Sequence, residues 1–199
     1  MNYLITGAKG QLGTELTKMV DENDINLWAY DSADMDITDR EATLKTIADL
    51  KPDVIFHCAA YTAVDPAEDD GKEINWKVNV DGTQNVADAA KLVGATMIYI
   101  STDYVFDGKK ETEYQVNDQP NPQNEYGRAK LAGEEAVRQT LSNYYIIRTS
   151  WVFGEYGKNF VYTMLRLAET HDTLTVVNDQ VGRPTWTKTL AEFMLYAVE

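Results

Sequence analysis

The sequence predicts an α/β protein with a doubly wound parallel sheet, and three observations carry this prediction. Short apolar runs alternate with helical patterns along the whole chain. The runs at 54–58 and 97–100 are continuously apolar, as strands are when helices cover both faces of a parallel sheet. A glycine-rich turn, residues 7–13, joins the first apolar run to the first helical pattern.

Strands and helices alternate in a regular order. The predicted strands are residues 3–5, 27–30, 54–58, 97–100, 145–148 and 174–177. Six helices are predicted. The first follows the glycine turn, the second begins at residue 38, the next three cover 72–93, 125–141 and 159–171, and the last begins near 187. Thr38 and Glu41 have capping-box spacing, Pro52 ends the second helix, and Gly94 suits the C′ position of the third. Residues 107–123 are polar and proline-containing, which is typical of a surface loop.

Length and composition limit the number of domains and the kinds of partner. A chain of 199 residues and 22.4 kDa is one domain, or one domain with a fragment of a second. We expect a dinucleotide-binding domain over 1–150, and over 151–199 its last elements with the start of a substrate-binding region. The net charge of −14 argues against nucleic acid and anionic membranes as partners.

Cysteine and histidine usage excludes further classes. Cys58 is the single cysteine, so no disulfide forms within the chain, and His57 and His171 do not have zinc-ligand spacing. We therefore expect no metal ligands. The first residues lack a basic, apolar leader pattern, and no apolar run reaches the ~18–20 residues of a membrane helix. These features predict a cytoplasmic protein.

The glycine-rich turn predicts a dinucleotide site. Gly7, Gly10 and Gly13 form a GxxGxxG pattern between a strand and a helix. Glycines let the backbone approach a pyrophosphate, and the helix N-terminus offers free N–H groups to it. The spacing departs from GxGxxG, and the alternative is a glycine turn without a ligand; the strand–turn–helix context favours the site.

Further cofactor contacts are predicted at the ends of the next two strands. Asp31 ends the second strand, where a carboxylate binds ribose hydroxyls and repels a 2′-phosphate, which slightly favours NADH over NADPH. The alternative for Asp31 is an exposed loop acid. Asp36 and Ile37 are expected near the adenine. Small residues and an aromatic follow the third strand, where the cofactor would cross the sheet edge: Ala59, Ala60 and Tyr61.

A proton-transfer site is predicted on the helix at 125–141. Tyr126 and Lys130 are spaced i, i+4, which places both on one helix face. A lysine ammonium lowers the pKa of a nearby phenol, so the pair can exchange a proton with a carbonyl or alcohol oxygen. Thr102, after the fourth strand, can hydrogen-bond the same oxygen. The alternatives are an ordinary surface helix for the pair and simple turn chemistry for Thr102.

Several strings together resemble a known family. The glycine turn, the Asn79–Val80–x–Gly82–Thr83 string, residues 101–106 and the Tyr126–Lys130 pair resemble the extended short-chain dehydrogenase/reductases. Residues 59–65, 148–153 and 178–185 resemble, more narrowly, the dTDP-4-dehydrorhamnose reductases, and the resemblance covers the whole chain. It implies NADH- or NADPH-dependent reduction of the C4 ketone of dTDP-4-dehydro-L-rhamnose to dTDP-L-rhamnose, for cell-surface polysaccharide.

The resemblance also implies roles for individual residues. Tyr126 would protonate the developing alkoxide, Lys130 would hold the nicotinamide ribose, and Thr102 would bond the reacting oxygen. Asp103 and Trp151 would contact the sugar nucleotide, and Gly10, Gln11 and Leu12 would contact the pyrophosphate. Asn79 would stabilise the framework of the active site. For Trp151 the alternative is a core tryptophan.

One departure and two alternatives remain. The helical pattern still continues at Glu199, whereas family members continue further, so we expect a truncated chain whose absent part supplies a substrate lid. That part would also carry any magnesium site and contacts for a homodimer. The alternatives are another nucleotide-sugar reductase or epimerase, and a non-catalytic regulatory relative. The intact Thr102, Tyr126 and Lys130 favour the reductase.

Overall fold

The central sheet has five parallel strands, which confirms the predicted doubly wound α/β fold. The computed structural model describes residues 1–20 and 25–199. The strands are β1 (Asn2–Thr6), β2 (Asn26–Tyr30), β3 (Val54–His57), β4 (Thr96–Thr102) and β5 (Tyr144–Thr149). Their order across the sheet is β2-β1-β3-β4-β5.

Strand β1 lies at the point where the chain reverses its direction across the sheet. Ile5 of β1 pairs with Ala29 of β2 on one side and with Phe56 of β3 on the other. The connections on either side of such a strand leave in opposite directions, so a crevice opens beyond the carboxyl ends of β1 and β3. This edge of the sheet is where ligands bind in open α/β proteins.

Seven α-helices and one π-helical segment are present in the described residues. They are α1 (Gln11–Met19), α2 (Arg40–Leu50), α3 (Lys72–Trp76), the π segment Lys77–Gly82, α4 (Thr83–Val93), α5 (Glu125–Thr140), α6 (Phe160–Ala168) and α7 (Thr187–Tyr196). The predicted helix over 72–93 is therefore continuous from α3 to α4, with a widened turn in its middle. Gly94 ends α4 in a left-handed conformation, as predicted.

The start of α2 differs from the prediction by one residue. The N-cap is Asp39, whose side chain accepts a hydrogen bond from the Ala42 N–H at 3.0 Å. Thr38 does not cap this helix, because its N–H and its hydroxyl both donate to the Asp36 carboxylate, at 2.9 and 2.8 Å. Asp36 thus holds the turn that leads into the helix.

Two apolar layers cover the two faces of the sheet. Alternate residues of each central strand enter opposite layers: Leu4 and Ile55 pack beneath α2, α4 and α5, whereas Ile5 and Phe56 pack against α1 and α7. All four side chains are fully buried. A strand that is buried on both sides has no polar face, which explains the continuous apolar runs of the sequence.

The prediction is wrong for residues 174–177. This segment is neither strand nor helix, and Val176 and Val177 are largely exposed. In the described residues the sheet ends at β5, and this segment does not pair with the outer side of that strand. A separate pair of short parallel strands, β6 (Val152–Phe153) and β7 (Thr185–Trp186), was not predicted because each has only two residues. Within 1–20 and 25–199, no helix has the length and apolar character to cross a membrane.

The glycine turn before α1 predicts a stability difference between two neighbouring alanine substitutions. A Cβ on Gly13 would lie 2.7 Å from the Ala8 Cα and would also collide with the Gly7 carbonyl oxygen, both of which are backbone atoms. A Cβ on Gly10 would lie 3.2 Å from the Gly7 oxygen, which a small shift relieves. We expect Gly13→Ala to lower the free energy of unfolding by about 1–3 kcal/mol and Gly10→Ala by less. Urea denaturation without ligand measures both, and equal losses would contradict the packing described.

Candidate active site

The glycine turn presents an open helix N-terminus to the crevice. Gly7 has a φ of 68°, and a Cβ there would lie 2.7 Å from the Ala59 Cα, so only glycine brings the turn this close to the end of β3. The Gly10 N–H donates to the Gly7 carbonyl at 3.0 Å. No side chain caps α1 at Gly10, and its first turn carries no acid. Its free N–H groups and positive dipole end suit a pyrophosphate.

The side chains that follow in this turn face away from the crevice. Leu12 is buried in the apolar layer with α7. The Gln11 side-chain oxygen accepts a hydrogen bond from Asn159 at 3.3 Å, which ties α1 to the start of α6. Leu12 therefore offers a ligand its backbone N–H rather than its side chain.

Asp31 lies at the end of β2 and is already paired. One of its carboxylate oxygens is 2.5 Å from the Lys9 Nζ, and the other accepts from the Ala33 N–H at 2.9 Å. The Lys9 hydrogen bond and the Ala33 N–H lower the pKa of Asp31, which keeps it ionised. The structure therefore places a lysine, which the sequence reasoning overlooked, beside the acid expected to bind a ribose.

The two residues predicted near the adenine have different environments. Asp36 is exposed and holds the turn before α2. The Ile37 side chain is buried, and it would touch a Cβ added to Gly82 at 2.8 Å. Ile37 therefore packs in the core against the π segment, so only its backbone is available to a ligand at this edge.

Asn79 fixes the loop that follows β3. Its side-chain oxygen accepts from the Tyr61 N–H at 3.2 Å, and its amide donates to the Tyr61 carbonyl at 2.9 Å. The same amide donates to the Asn75 side chain at 2.8 Å, and Asn75 donates to the Glu125 carbonyl at 3.1 Å. Residues Ala59–Tyr61 form a loop, called the 59–61 loop below. Through Asn79, the π segment links this loop to the start of α5.

Thr102 and Tyr126 meet at the carboxyl end of β4. Both side chains are buried, and the Thr102 hydroxyl lies close enough to the Tyr126 phenol to influence its pKa. The Thr102 hydroxyl also donates to Asp103 at 3.1 Å and accepts from the Tyr104 N–H at 3.2 Å. Thr102 and Tyr126 therefore lie together at the edge of the sheet where the other predicted site residues lie.

Burial keeps Tyr126 protonated. Desolvation, followed by the nearby Asp103 charge, raises the pKa of Tyr126 to about 12, and the neighbouring Thr102 hydroxyl only partly offsets this. The expectation that Lys130 lowers the pKa of this tyrosine is therefore wrong for the protein alone, because loss of water is the dominant cause and raises the pKa. A protonated phenol is a proton donor, which is what a ketone reduction needs.

Lys130 is buried one turn further along α5. Only 1% of its surface is exposed, and its Nζ lies 4.1 Å from the centre of the Tyr99 ring. Burial lowers its pKa to about 7, while Glu134 and Cys58 act in the opposite direction. None of the ion pairs found among residues 1–20 and 25–199 involves Lys130. A buried ammonium without an ion-pair partner can donate hydrogen bonds to the hydroxyls of a ligand.

Thr149 is a candidate residue that the sequence reasoning did not single out. It ends β5 and pairs in register with Thr102. Its hydroxyl is the one buried side-chain polar atom without a hydrogen-bond partner in the described part of the chain. Buried hydroxyls are normally paired, so this oxygen is available to a ligand. Its position at a strand end beside Thr102 is the signal that would have found it.

The two residues expected to contact a sugar nucleotide lie on the open side of the site. Asp103 is exposed there, and desolvation raises its pKa. Trp151 is 45% exposed, so it is not a core tryptophan. Its φ is 47°, an unusual value for a non-glycine residue, and its ring packs over Gly182. No cluster of three or more acidic, histidine or cysteine side chains that would hold a metal occurs in the described ranges.

The parallel sheet, the open glycine turn and the buried tyrosine and lysine define an α/β protein of the Rossmann type with a candidate nucleotide-binding edge. More narrowly, the chain belongs to the family of the RmlD substrate binding domain, whose family model matches residues 1–199.

Individual relatives agree with this membership. A dTDP-4-dehydrorhamnose reductase of Aggregatibacter actinomycetemcomitans is 44% identical over 197 residues, 98% of this chain and 67% of that protein. A crystal structure of a dTDP-4-dehydrorhamnose reductase from Clostridium acetobutylicum matches with a TM-score of 0.96 at 45% identity, over 100% of this chain and 70% of that one. The enzyme of that name from Bacillus anthracis, in complex with NADP, matches with a TM-score of 0.96 at 40% identity, over 99% and 70%.

The chain is shorter than these relatives. It spans 62–67% of the length of three curated relatives that are 42–45% identical to it. The family model matches residues 1–199, which include the sheet and every predicted site residue.

Replacement of Lys130 by methionine tests the electrostatic cost of its burial. The folded-state pKa of about 7 lies below the ordinary 10.5, so between these values the folded protein binds fewer protons than the unfolded chain. The cost is therefore largest at and below about pH 7 and shrinks by up to about 1.4 kcal/mol per pH unit above it. Without ligand, we expect Lys130→Met to raise the melting temperature near neutral pH and to lose this advantage towards about pH 10.

A matched variant separates this effect from a general change of charge. Lys91 is an exposed lysine of α4, and Lys91→Met removes the same charge without relieving burial. Its effect on melting temperature should not follow the pattern of Lys130→Met. A Lys130→Met difference that stays constant across the pH range would contradict the assigned shift.

Proposed function

We propose that this chain carries the cofactor and proton-donor part of a dTDP-4-dehydrorhamnose reductase. The reaction reduces the C4 ketone of dTDP-4-dehydro-L-rhamnose to the alcohol of dTDP-L-rhamnose. The observation that carries the proposal is the burial of Thr102 and a protonated Tyr126 at the carboxyl edge of the sheet, the same edge that carries the open glycine turn. Membership of the family supplies the substrate.

The cofactor part of the site has a residue for each part of a dinucleotide. NADH or NADPH, when bound, supplies the hydride. The N–H groups at the start of α1 bind the pyrophosphate, and Asp31 binds the adenosine ribose. Lys130 donates to the hydroxyls of the nicotinamide ribose, and the free Thr149 hydroxyl lies at the same end of the sheet.

The proton follows a short path from the protein to the substrate. Thr102 and Tyr126 both bond the ketone oxygen at C4, and Tyr126 transfers its phenolic proton to that oxygen as the hydride arrives at carbon. The phenol is buried and protonated before the ketone binds, so the proton is already at the site. Water then reprotonates Tyr126.

The sugar nucleotide binds on the open side. Asp103 is placed to accept hydrogen bonds from sugar hydroxyls, and the exposed Trp151 ring offers an apolar face to the deoxysugar. Residues 151–199 form the start of the substrate-binding region, which the longer relatives extend. Both reactants are small soluble metabolites, so we place the reaction in the cytoplasm.

Tyr126→Phe tests the proton donor. With the natural full-length protein, we expect turnover of dTDP-4-dehydro-L-rhamnose to fall by about 10²–10⁴, because only the phenolic oxygen is lost. The dissociation constant of NADPH should stay unchanged. Tyr145→Phe, an exposed tyrosine of β5, should leave turnover at the wild-type level. Loss of reduced-nicotinamide absorbance measures turnover.

The same assay separates the reductase from its alternatives. An epimerase would retain a tightly bound cofactor after purification and would consume none during turnover. A regulatory relative would bind a nucleotide and oxidise none with any ketosugar. Wild-type turnover together with an undiminished Tyr126→Phe rate would reject the assigned role of this tyrosine.

Lys9 and Asp31 make a prediction about cofactor choice. The Lys9 ammonium neutralises the acid that would otherwise repel a 2′-phosphate, so we expect the protein to bind both NADH and NADPH. Lys9→Ala should weaken NADPH binding about tenfold, which corresponds to a charge contact of about 1.4 kcal/mol, and leave NADH binding nearly unchanged. Quenching of nicotinamide fluorescence measures both constants.

A second exposed lysine–aspartate pair provides the control. Lys45 lies 2.7 Å from Asp49 on α2, so Lys45→Ala breaks a comparable ion pair away from the site. It should change neither constant. Equal weakening of NADH and NADPH by Lys9→Ala would show that Lys9 contributes something other than phosphate recognition.

A further inference from the structure

Glu134 is a fully buried acid that receives hydrogen bonds from three other residues. The Ser101 hydroxyl donates to one carboxylate oxygen at 2.6 Å. The Arg148 guanidinium donates to both oxygens, at 2.8 and 2.7 Å, and Arg138 donates to the second at 2.8 Å. Glu134 itself has no exposed surface. A buried carboxylate is tolerated only when it is paired this completely.

The donors come from the elements that form the active site. Glu134 lies on α5, one turn after Lys130. Ser101 is the penultimate residue of β4 and directly precedes Thr102. Arg148 occupies the same place on β5 and directly precedes Thr149, and the two strands pair Ser101 with Arg148. One carboxylate therefore touches the helix and both strand ends that present the site hydroxyls.

We propose that Glu134 is a positioning residue, whose buried carboxylate sets the distance between the Tyr126 helix and the end of strand β4. This inference rests on the proposed reductase function. Tyr126 must reach the ketone oxygen together with Thr102, although the two residues lie on different elements. The Ser101 hydrogen bond ties these elements one residue away from Thr102, and the Arg148 fork ties the next strand to the same point.

The ionised state of Glu134 supports this role. Burial would raise its pKa, but the hydrogen bonds from Arg148 and Ser101 outweigh burial, so the pKa is lowered. The negative charge also favours the protonated form of the nearby Lys130. A neutral amide of the same shape would keep the volume and lose both effects.

The arginine extends the same arrangement to the turn after Thr102. The Arg148 guanidinium lies 4.8 Å from the centre of the Phe106 ring, so it packs between this ring and Glu134. Phe106 stacks in turn on Tyr114, with ring centres 4.1 Å apart. The segment between Thr102 and Phe106 is thus held at its start by Ser101 and at its end by Arg148.

Ser101→Ala is the sharpest test, because it removes one link and leaves the two arginines on Glu134. In the natural full-length protein, we expect kcat to fall about 10–100-fold, as a small displacement of reacting groups does. The KM for the sugar nucleotide and the dissociation constant of NADPH should change by less than about twofold, because neither ligand touches Ser101. Glu134→Gln should lower kcat further, and it should also weaken NADPH binding, because the Glu134 charge favours the protonated form of Lys130.

Arg138→Ala is the matched control. Arg138 donates to the same carboxylate, but it lies on α5 itself and is 41% exposed at its side chain, so it links no second element. We expect its kcat to equal that of the wild type. A loss in Arg138→Ala as large as in Ser101→Ala, or an unchanged kcat in Ser101→Ala, would overturn the proposal. Should Glu134→Gln fail to fold, the serine and arginine variants still decide the question.

Hydrogen exchange of backbone amides gives a readout that does not need turnover. Segments 101–106 and 125–131 should exchange faster in Ser101→Ala than in the wild type, and at the wild-type rate in Arg138→Ala. If the wild type shows no reductase activity while this exchange pattern holds, the proposed reaction fails and the link between the elements stands. If the wild type is active and neither exchange nor kcat responds to Ser101→Ala, the positioning role fails and the reaction stands.

Discussion

The pairing of five parallel strands constrains everything else in this protein. Each strand must be followed by a crossover that returns the chain to the same end of the sheet, so helices cover both faces and all five carboxyl ends meet at one edge. The reversal at β1 opens a crevice at that edge. The glycine turn, the 59–61 loop, Thr102 and Thr149 lie around it for this reason, although they are far apart along the chain.

Burial then sets the chemistry of the groups at this edge. Desolvation favours the neutral forms of both Tyr126 and Lys130, which raises the pKa of the first and lowers that of the second. For Glu134, by contrast, the hydrogen bonds that Arg148 and Ser101 donate lower the pKa, so this carboxylate stays ionised. The site therefore contains a proton donor, a cation that is costly to bury and an anion that is fully paired. A bound cofactor and ketone would meet groups already held in place.

The agreement between sequence and structure depends on the range of the interactions involved. The strands, the glycine turn and the Gly94 helix end follow from local pattern, and the structure has them where they were predicted. Residues 174–177 are apolar enough for a strand, yet they join neither sheet and Val177 is exposed. Asp39 replaces Thr38 as a helix cap because Asp36 binds Thr38. These differences arise from contacts that a local pattern does not contain.

By itself, the sequence determined the fold class, the family and the residues at the strand ends, because periodicity and motif spacing depend on neighbours a few positions apart. Only the tertiary structure decided the contacts, burial and protonation of those residues. Lys9 beside Asp31, the unpaired Thr149 hydroxyl and the buried Glu134 between three elements all depend on long-range packing. The protonated state of Tyr126 also depends on long-range packing. Its pKa is set mainly by removal from water and not by the i, i+4 spacing from Lys130.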